Sequence, residues 1–381
     1  MPRVAICGVA RTPIGKFRGS LSNLTAVELG IRSVSELLSR CKINPTSGVI
    51  DEVLFGQVLQ AGAGQAPARQ VALGAGLPNS IAATTINKVC GSSLKAVMMA
   101  ANSIKAGEYK AIIAGGMESM TNAPKFEKRN GEEKEMVSTM VHDGLWDVYN
   151  DVHMGNTGEI VANECGISRG KMDAFAARSQ NKAAEAEANG WFDWERFEMP
   201  ELSTDEGVRA GTTIEKLAGL RPVFQEDGMV TAGNASTLND GASAVLVADE
   251  DFANANGWEI IAIVEDYCTA GVEPSRVMYA PVPAIKMLLE RANLNVLDID
   301  VYEHNEAFAS ASCAVAQDVG IPDDRFNLHG GAVALGHPLG SSGTRCLITM
   351  IGVMRRIEAK SGIVSLCLGG GNAVAMRVSI D

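Results

Sequence analysis

The chain has 381 residues, 46% of them hydrophobic and 20% charged, the balance of a globular protein with room for two or three domains. Its formal net charge of −12 excludes the basic footprint of a nucleic-acid or anionic-membrane binder, so no nucleic acid and no membrane are expected among its partners. Eight cysteines without a CxxC pair, and none at zinc-ligand spacing from a histidine, argue for reduced, mostly buried thiols, with no metal and a cytoplasmic location.

In chain order, residues 3–9 (RVAICGV) read as a buried strand. The opening carries no charged head followed by an apolar run of signal-peptide length, and no stretch of about 18 apolar residues follows anywhere. Helical periodicity runs over 24–41, a short strand over 53–58, an apolar helix over 91–106 stopped by Gly107, and a strand over 111–115. This alternation predicts an α/β fold with a central sheet covered on both faces.

From about 119 to 235 the texture changes. Charges cluster (KFEKRNGEEKE, 125–135) and three of the four tryptophans occur here. One long helix is predicted over 169–188 with Ser168 as its N-cap, and its Ala-rich, mixed-charge pattern predicts a solvent-facing element. The segment reads as an insertion. Strands return at 243–248 and 260–264, another strand at 300–302 leads into an apolar helix, and a Gly/Ser turn opens an apolar helix over 341–354 before a strand over 363–368. The order CGSS, apolar helix, AIIAGG in the first half has this same plan, which points to an internal duplication.

Four constellations carry chemistry. In NKVCGSSLKAV (87–97), Cys90 stands just before a predicted helix, where unpaired N–H groups and the positive helix end would favour thiolate. A small buried cysteine at a helix start is the plainer alternative. In GGAVALGHPLGSSG (330–343), glycines bracket His337, and Pro338 biases it to an extended backbone, a setting for a base or an oxyanion donor. In LCLGGGNA (366–373), Cys367 ends a strand beside Gly369, whose amide can join an oxyanion-binding nest; from this motif alone a core cysteine before a tight turn is the better reading. In EHNEAFA (303–309), spacing alone makes Asn305 a helix N-cap, with a water- or oxyanion-holding amide as the sharper reading. Together they supply a nucleophile, a base and two donor sets, the parts of acyl transfer coupled to proton abstraction beside a thioester carbonyl.

These motifs also resemble the thiolase family nearly end to end. RTPIGKFRGSL (11–21), VLQAGAGQAPARQ (58–70), GGMESMTNAP (115–124), HMGNTGE (153–159), TAGNASTLNDGA (231–242) and PVPA (281–284) accompany the four above in family order. The resemblance implies two duplicated βαβαβαββ halves in a layered α/β sandwich with an inserted loop domain: 1–118 plus 241–257, then 119–240 inserted for coenzyme A binding and oligomer contacts, then 258–381. It implies that Cys90 accepts the acyl group, His337 activates it, Cys367 shuttles a proton at the α-carbon, and Asn305, through a water, forms one oxyanion site with His337. The amides of Cys90 and Gly369 would form the other.

His153, Ser236 and Arg209 match coenzyme A contacts. The implied reaction is reversible Claisen condensation of two acetyl-CoA to acetoacetyl-CoA plus CoA, or thiolysis of longer 3-ketoacyl-CoAs as the alternative. No cofactor is implied beyond CoA thioesters as substrates, and a homo-oligomer, dimer or tetramer, is, with 125–135 matching the tetramerisation loop. The sequence departs from the short-chain pattern at Ser93, Ala280, Asn372 and Ala373, and His304 is an unusual polar neighbour of Asn305.

Overall fold

Strand Val4–Arg11 is buried at every position, and its alternate residues face opposite ways, so it must be covered on both sides. The structure, a computed structural model, meets that demand with one large sheet, and it describes residues 2–130 and 133–381. The sheet runs in the order Val301–His304, Ser361–Leu368, Asn372–Ser379, Ala262–Gly271, Val4–Arg11, Asn239–Asp249, Ala111–Ser119, Glu52–Gly56, Ala82–Ile86, with the short strand Gly15–Lys16 paired to Asn239–Asp249. Pairing is antiparallel through the middle and parallel towards both edges. The two halves meet where Ala5 and Ile6 pair with Ile263 and Ala262.

One face of both halves packs on two central helices, Ser92–Lys105 and Ser342–Arg356: Ile112, Val245 and Val247 from one half and Val364, Leu366 and Val374 from the other share a single core with them. Every residue of the second helix from Ser342 to Met354 is buried, the pattern of a helix enclosed on all sides. The alternate residues of the first half (Ala5, Ile113, Leu246) pack under helix Ala26–Arg40, whose start is fixed by a Thr25–Glu28 capping box. Those of the second half (Ile363, Cys367, Ala375) pack under Pro281–Ala292 and Ala309–Val319. The outcome is five layers, helix, sheet half, paired helices, sheet half, helix; the alternating pattern predicts a sheet covered on both faces but not the helix pair enclosed between its halves.

The central helices touch at their N-termini. A Cβ on Gly343 would come within 2.5 Å of the Leu94 backbone nitrogen, so glycine is needed for the approach. Ser93, one of the departures noted above, is fully buried there, and its hydroxyl accepts the Thr344 N–H at 2.9 Å, satisfying an orphan donor of the opposite helix.

Between Ser119 and Asn239 no strand joins the large sheet among the described residues. The charged stretch forms an antiparallel hairpin of Lys125–Asn130 and Glu133–Ser138; residues 131 and 132 of it lie outside the described residues. The returning chain is tied down by ion pairs from Arg11 to Glu195 at 2.6 Å and to Asp205 at 2.8 Å, both fully buried.

Helix Arg169–Ala188 is capped by Ser168 as predicted, but it is not a solvent-facing element: Met172, Phe175, Ala176, Ser179, Gln180 and Ala183 are among its buried residues. Its buried face reads as polar because it is hydrogen-bonded, Asp173 to Asn234, Ser179 to Glu306 and Gln180 to the Val333 carbonyl. No helix among the described residues is long and apolar enough to cross a membrane.

Candidate active site

Cys90 sits on a strained elbow. Val89 before it has φ 47°, a costly left-handed conformation for a β-branched residue. The elbow is clamped by side chains: Asn87 Oδ1 accepts the Val89 N–H at 3.0 Å, and Ser92 Oγ accepts the Lys88 N–H at 2.8 Å while donating to the Val89 carbonyl at 2.6 Å. Gly91 lets the elbow press on the other half of the molecule, because a Cβ there would lie 2.5 Å from Leu368 and 2.9 Å from Val374. The contact brings the Gly369 N–H to the Cys90 sulfur, which also receives the Cys90 N–H. Gly369 opens the turn after strand Ser361–Leu368, and Gly370 and Gly371 complete it with φ of 83° and 75°.

His337 comes from a second elbow. Gly336 has φ 104°, and any Cβ on it would collide with Asn239 at 2.4 Å. Asn239 Oδ1 in turn accepts the His337 N–H at 2.9 Å. The ring is held at both nitrogens, with Ser342 Oγ 2.6 Å from Nδ1 and Asn305 Nδ2 3.4 Å from Nε2. Asn305 is therefore not a helix N-cap. Helix Ala309–Val319 begins after Phe308 without a side-chain cap, and the Asn305 amide reaches across to His337 instead. Its other end, Oδ1, lies 3.8 Å from the Cys346 sulfur.

Cys90, His337, and Cys367 with Gly369, contributed by three separate stretches, line one pocket of about 550 Å³. Asn305 stands one layer behind, in contact with His337. The Cys367 thiol points to Met278 Sδ at 3.7 Å. The walls are apolar: Leu145, Leu339, Phe224, Phe308 and the methionines Met120, Met154 and Met278.

His153, Ser236 and Arg209 line the same pocket, with Lys16 as a second cation beside Arg209. His153 caps helix Met154–Glu164 by accepting the Gly155 N–H on Nδ1 at 3.1 Å, and its ring stacks on Phe224 at 4.8 Å. With Nδ1 an acceptor, the neutral ring offers a proton on Nε2. Lys16, Phe224, Met278, Ser342 and Glu118 were missed from the sequence; the serines of GSSG and the glutamate of GGMESM were visible signals.

Electrostatics correct one expectation. The helix start was expected to favour a Cys90 thiolate. Burial instead pushes the thiol well above its usual value, Cys367 adds to the rise, and the amides of Cys90 and Gly369 only partly oppose it. Burial likewise pushes Cys367 up to about 12 and, with help from Arg345, pushes His337 down to about 3. At rest the site holds two thiols and a neutral imidazole.

Of the departures from the short-chain pattern, Asn372 accepts from Lys88 Nζ at 3.5 Å below the Cys90 elbow, while Ala280 and Ala373 are fully buried. His304 is buried too, pairs with Ser365 Oγ at 3.1 Å and does not line the pocket. Among the described residues no group of three or more His, Cys, Asp or Glu side chains is arranged to hold a metal.

Comparison with known proteins places this geometry. Residues 4–251 match the family profile "Thiolase, N-terminal domain", and residues 258–380 match "Thiolase, C-terminal domain". The chain is 47% identical to an acetyl-CoA acetyltransferase of Cupriavidus necator, over 99% of each chain. It is 45% identical to one of Pseudomonas aeruginosa over 100% of each. Among solved structures, the Acat5 thiolase of Ascaris suum in complex with coenzyme A superposes with a TM-score of 0.94 at 37% identity, covering 99% of each chain.

Proposed function

The chain belongs to the thiolase family, and we propose that it is the acyltransferase that condenses two acetyl-CoA into acetoacetyl-CoA plus CoA, and reverses that reaction. The observation that carries the site assignment is the convergence of Cys90, His337, Cys367 and Gly369 on one apolar pocket.

The chemistry follows from two neutral thiols and one neutral base. Cys90 Sγ attacks the thioester carbonyl as its proton passes to His337, and the oxyanion is received by the amides of Cys90 and Gly369. The carbon–sulfur bond to CoA breaks, and the departing sulfur takes its proton from Cys367. Acetyl-Cys90, imidazolium and the Cys367 thiolate remain. That thiolate removes an α-proton from a second acetyl-CoA, and the enolate oxygen is held by the imidazolium and, through a water, by Asn305. The enolate carbon attacks the acetyl carbonyl, the carbon–carbon bond forms, and Cys90 leaves as thiolate and recovers its proton from His337. Thiolysis is the same sequence run backwards. The apolar walls strengthen each charge interaction while the proton moves.

His153, Ser236 and Arg209, with Lys16, sit at the pocket where the CoA arm would pass, and the cations offset the repulsion of an anionic substrate by a chain of net charge −12. The division into 1–118 with 241–257, 119–240 and 258–381 assigns this CoA-facing surface mainly to the insertion. We take the hairpin at 125–138 as an oligomer contact, in a dimer or tetramer in the cytoplasm, and assign no cofactor beyond the CoA thioesters.

Thiolysis rates on 3-ketoacyl-CoAs from four to sixteen carbons test the reading. Acetoacetyl-CoA should be the best substrate; a rate that climbs with chain length would replace it with a degradative thiolase of broader range.

A further inference from the structure

The hydrogen bonds around His337 decide which of its nitrogens carries the proton. Ser342 Oγ lies 2.9 Å from the Pro338 carbonyl, which can only accept. Two oxygens at that distance repel unless a proton lies between them, so the single hydroxyl proton points there. The Ser341 and Ser342 backbone N–H groups reach the same carbonyl at 3.0 and 3.1 Å, and Ser342 is 1% exposed. Its remaining contact, at 2.6 Å, is His337 Nδ1, which must then be the donor.

We infer that Ser342 is a positioning residue that fixes His337 as the Nδ1–H tautomer, so that Nε2 carries the lone pair that takes the Cys90 proton. The inference rests on the assignment of His337 as the base. A second contact agrees with it. The Asn305 amide presents Nδ2, a donor, to Nε2 at 3.4 Å, while its Oδ1 faces the Cys346 S–H. A donor facing Nε2 fits a lone pair there and would clash with a proton. Ser342 and Cys346 are four residues apart, so one face of the central helix orients both the histidine and the asparagine. A hydroxyl partner, unlike a carboxylate, sets the tautomer without stabilising the imidazolium.

The test uses full-length protein labelled with ¹⁵N-histidine, with the His337 signals assigned by their loss in His337→Asn. The wild-type ring should show a protonated Nδ1 and a bare Nε2 at neutral pH. Ser342→Ala should give a mixed or reversed pattern. It should lower kcat for thiolysis roughly tenfold to a hundredfold, the range for removing a partner that orients an imidazole, with KM for acetoacetyl-CoA changed by less than about twofold. Ser342→Thr, which keeps a hydroxyl, should restore both. Ser341→Ala, at the neighbouring buried serine whose hydroxyl contacts Ser243, should leave the ring pattern as in wild type.

A wild-type proton on Nε2, or an unchanged ring pattern and kcat in Ser342→Ala, would overturn the inference. If Ser342→Ala fails to fold, the wild-type spectrum alone decides. Failure of wild type to form an acetyl-enzyme would instead remove the proposed function while leaving the tautomer readable.

Discussion

Replacing Glu118 with glutamine should tilt the pH dependence of stability in a calculable way. The Glu118 carboxylate is fully buried beneath the site. It accepts N–H groups from Val58 at 3.0 Å, Leu59 at 3.2 Å and Gly340 at 2.9 Å, tying the turn after His337 to the loop after strand Glu52–Gly56. Three donors should hold its pKa down, yet burial outweighs them and pushes it from the usual 4.5 up to about 7. At about 1.4 kcal/mol per pH unit, that difference amounts to about 3 kcal/mol.

The sign follows from linkage. The folded-state value lies above the unfolded one, so the contribution to stability is complete below pH 4.5 and is lost as pH rises through about 7. Glutamine does not titrate in this range. Between pH 4.5 and about 8 the unfolding free energy of wild type should therefore fall by about 3 kcal/mol relative to Glu118→Gln. The constant offset between the proteins depends on which amide the new NH₂ group faces; the slope does not. Urea unfolding followed by tryptophan fluorescence across this range measures it. Parallel stability curves for the two proteins would refute the reasoning, because they would mean that Glu118 stays ionised, or solvated, throughout.

Two further predictions concern the thiols. Cys367→Ala, incubated with acetyl-CoA, should still come to carry one acetyl group on Cys90 by intact-mass analysis, more slowly because the departing CoA must take its proton from water, but form acetoacetyl-CoA at least about a hundredfold more slowly, the usual scale for removing a general base; condensation at the wild-type rate would remove the role assigned to Cys367. Alkylation of Cys90 by iodoacetamide in the free enzyme should rise about tenfold per pH unit beyond about pH 9, because burial keeps the thiol protonated past the ordinary cysteine range. A plateau near or below pH 8 would mean a thiolate at rest.

Much of the scaffold was legible because its strands and helices are continuous apolar runs. The helices expected over 91–106 and 341–354 form as Ser92–Lys105 and Ser342–Arg356. Strand Asn372–Ser379 was not singled out, since its apolar residues follow a glycine run and read as the tail of a turn. The polar buried face of Arg169–Ala188 misled for a related reason: periodicity counts apolar residues, and Ser179 and Gln180 are buried by hydrogen bonds instead.

At the site, Cys90 and His337 were marked by local signals, a helix start and a glycine-bracketed turn. The partner of Asn305 was not, because a side chain that can cap the next helix can equally reach 32 residues along the chain to His337, and only the packing decides. The protonation state of Cys90 was misread for the same reason. Helix position is local, but Cys90 is buried against a core that includes Leu368 and Val374, and the charge of Cys367 adds to the rise; all three arrive from the far end of the sequence.

Strand Asn372–Ser379 is the last of the sheet in chain order, yet it lies inside it, hydrogen-bonded to Ser361–Leu368 on one side and Ala262–Gly271 on the other. It fills the gap between those two strands. Until it docks, the turn bearing Gly369 has no anchor and the nucleophilic sulfur no second amide. Closing the sheet and completing the oxyanion site are therefore a single event, since the same strand seals the gap and anchors the turn.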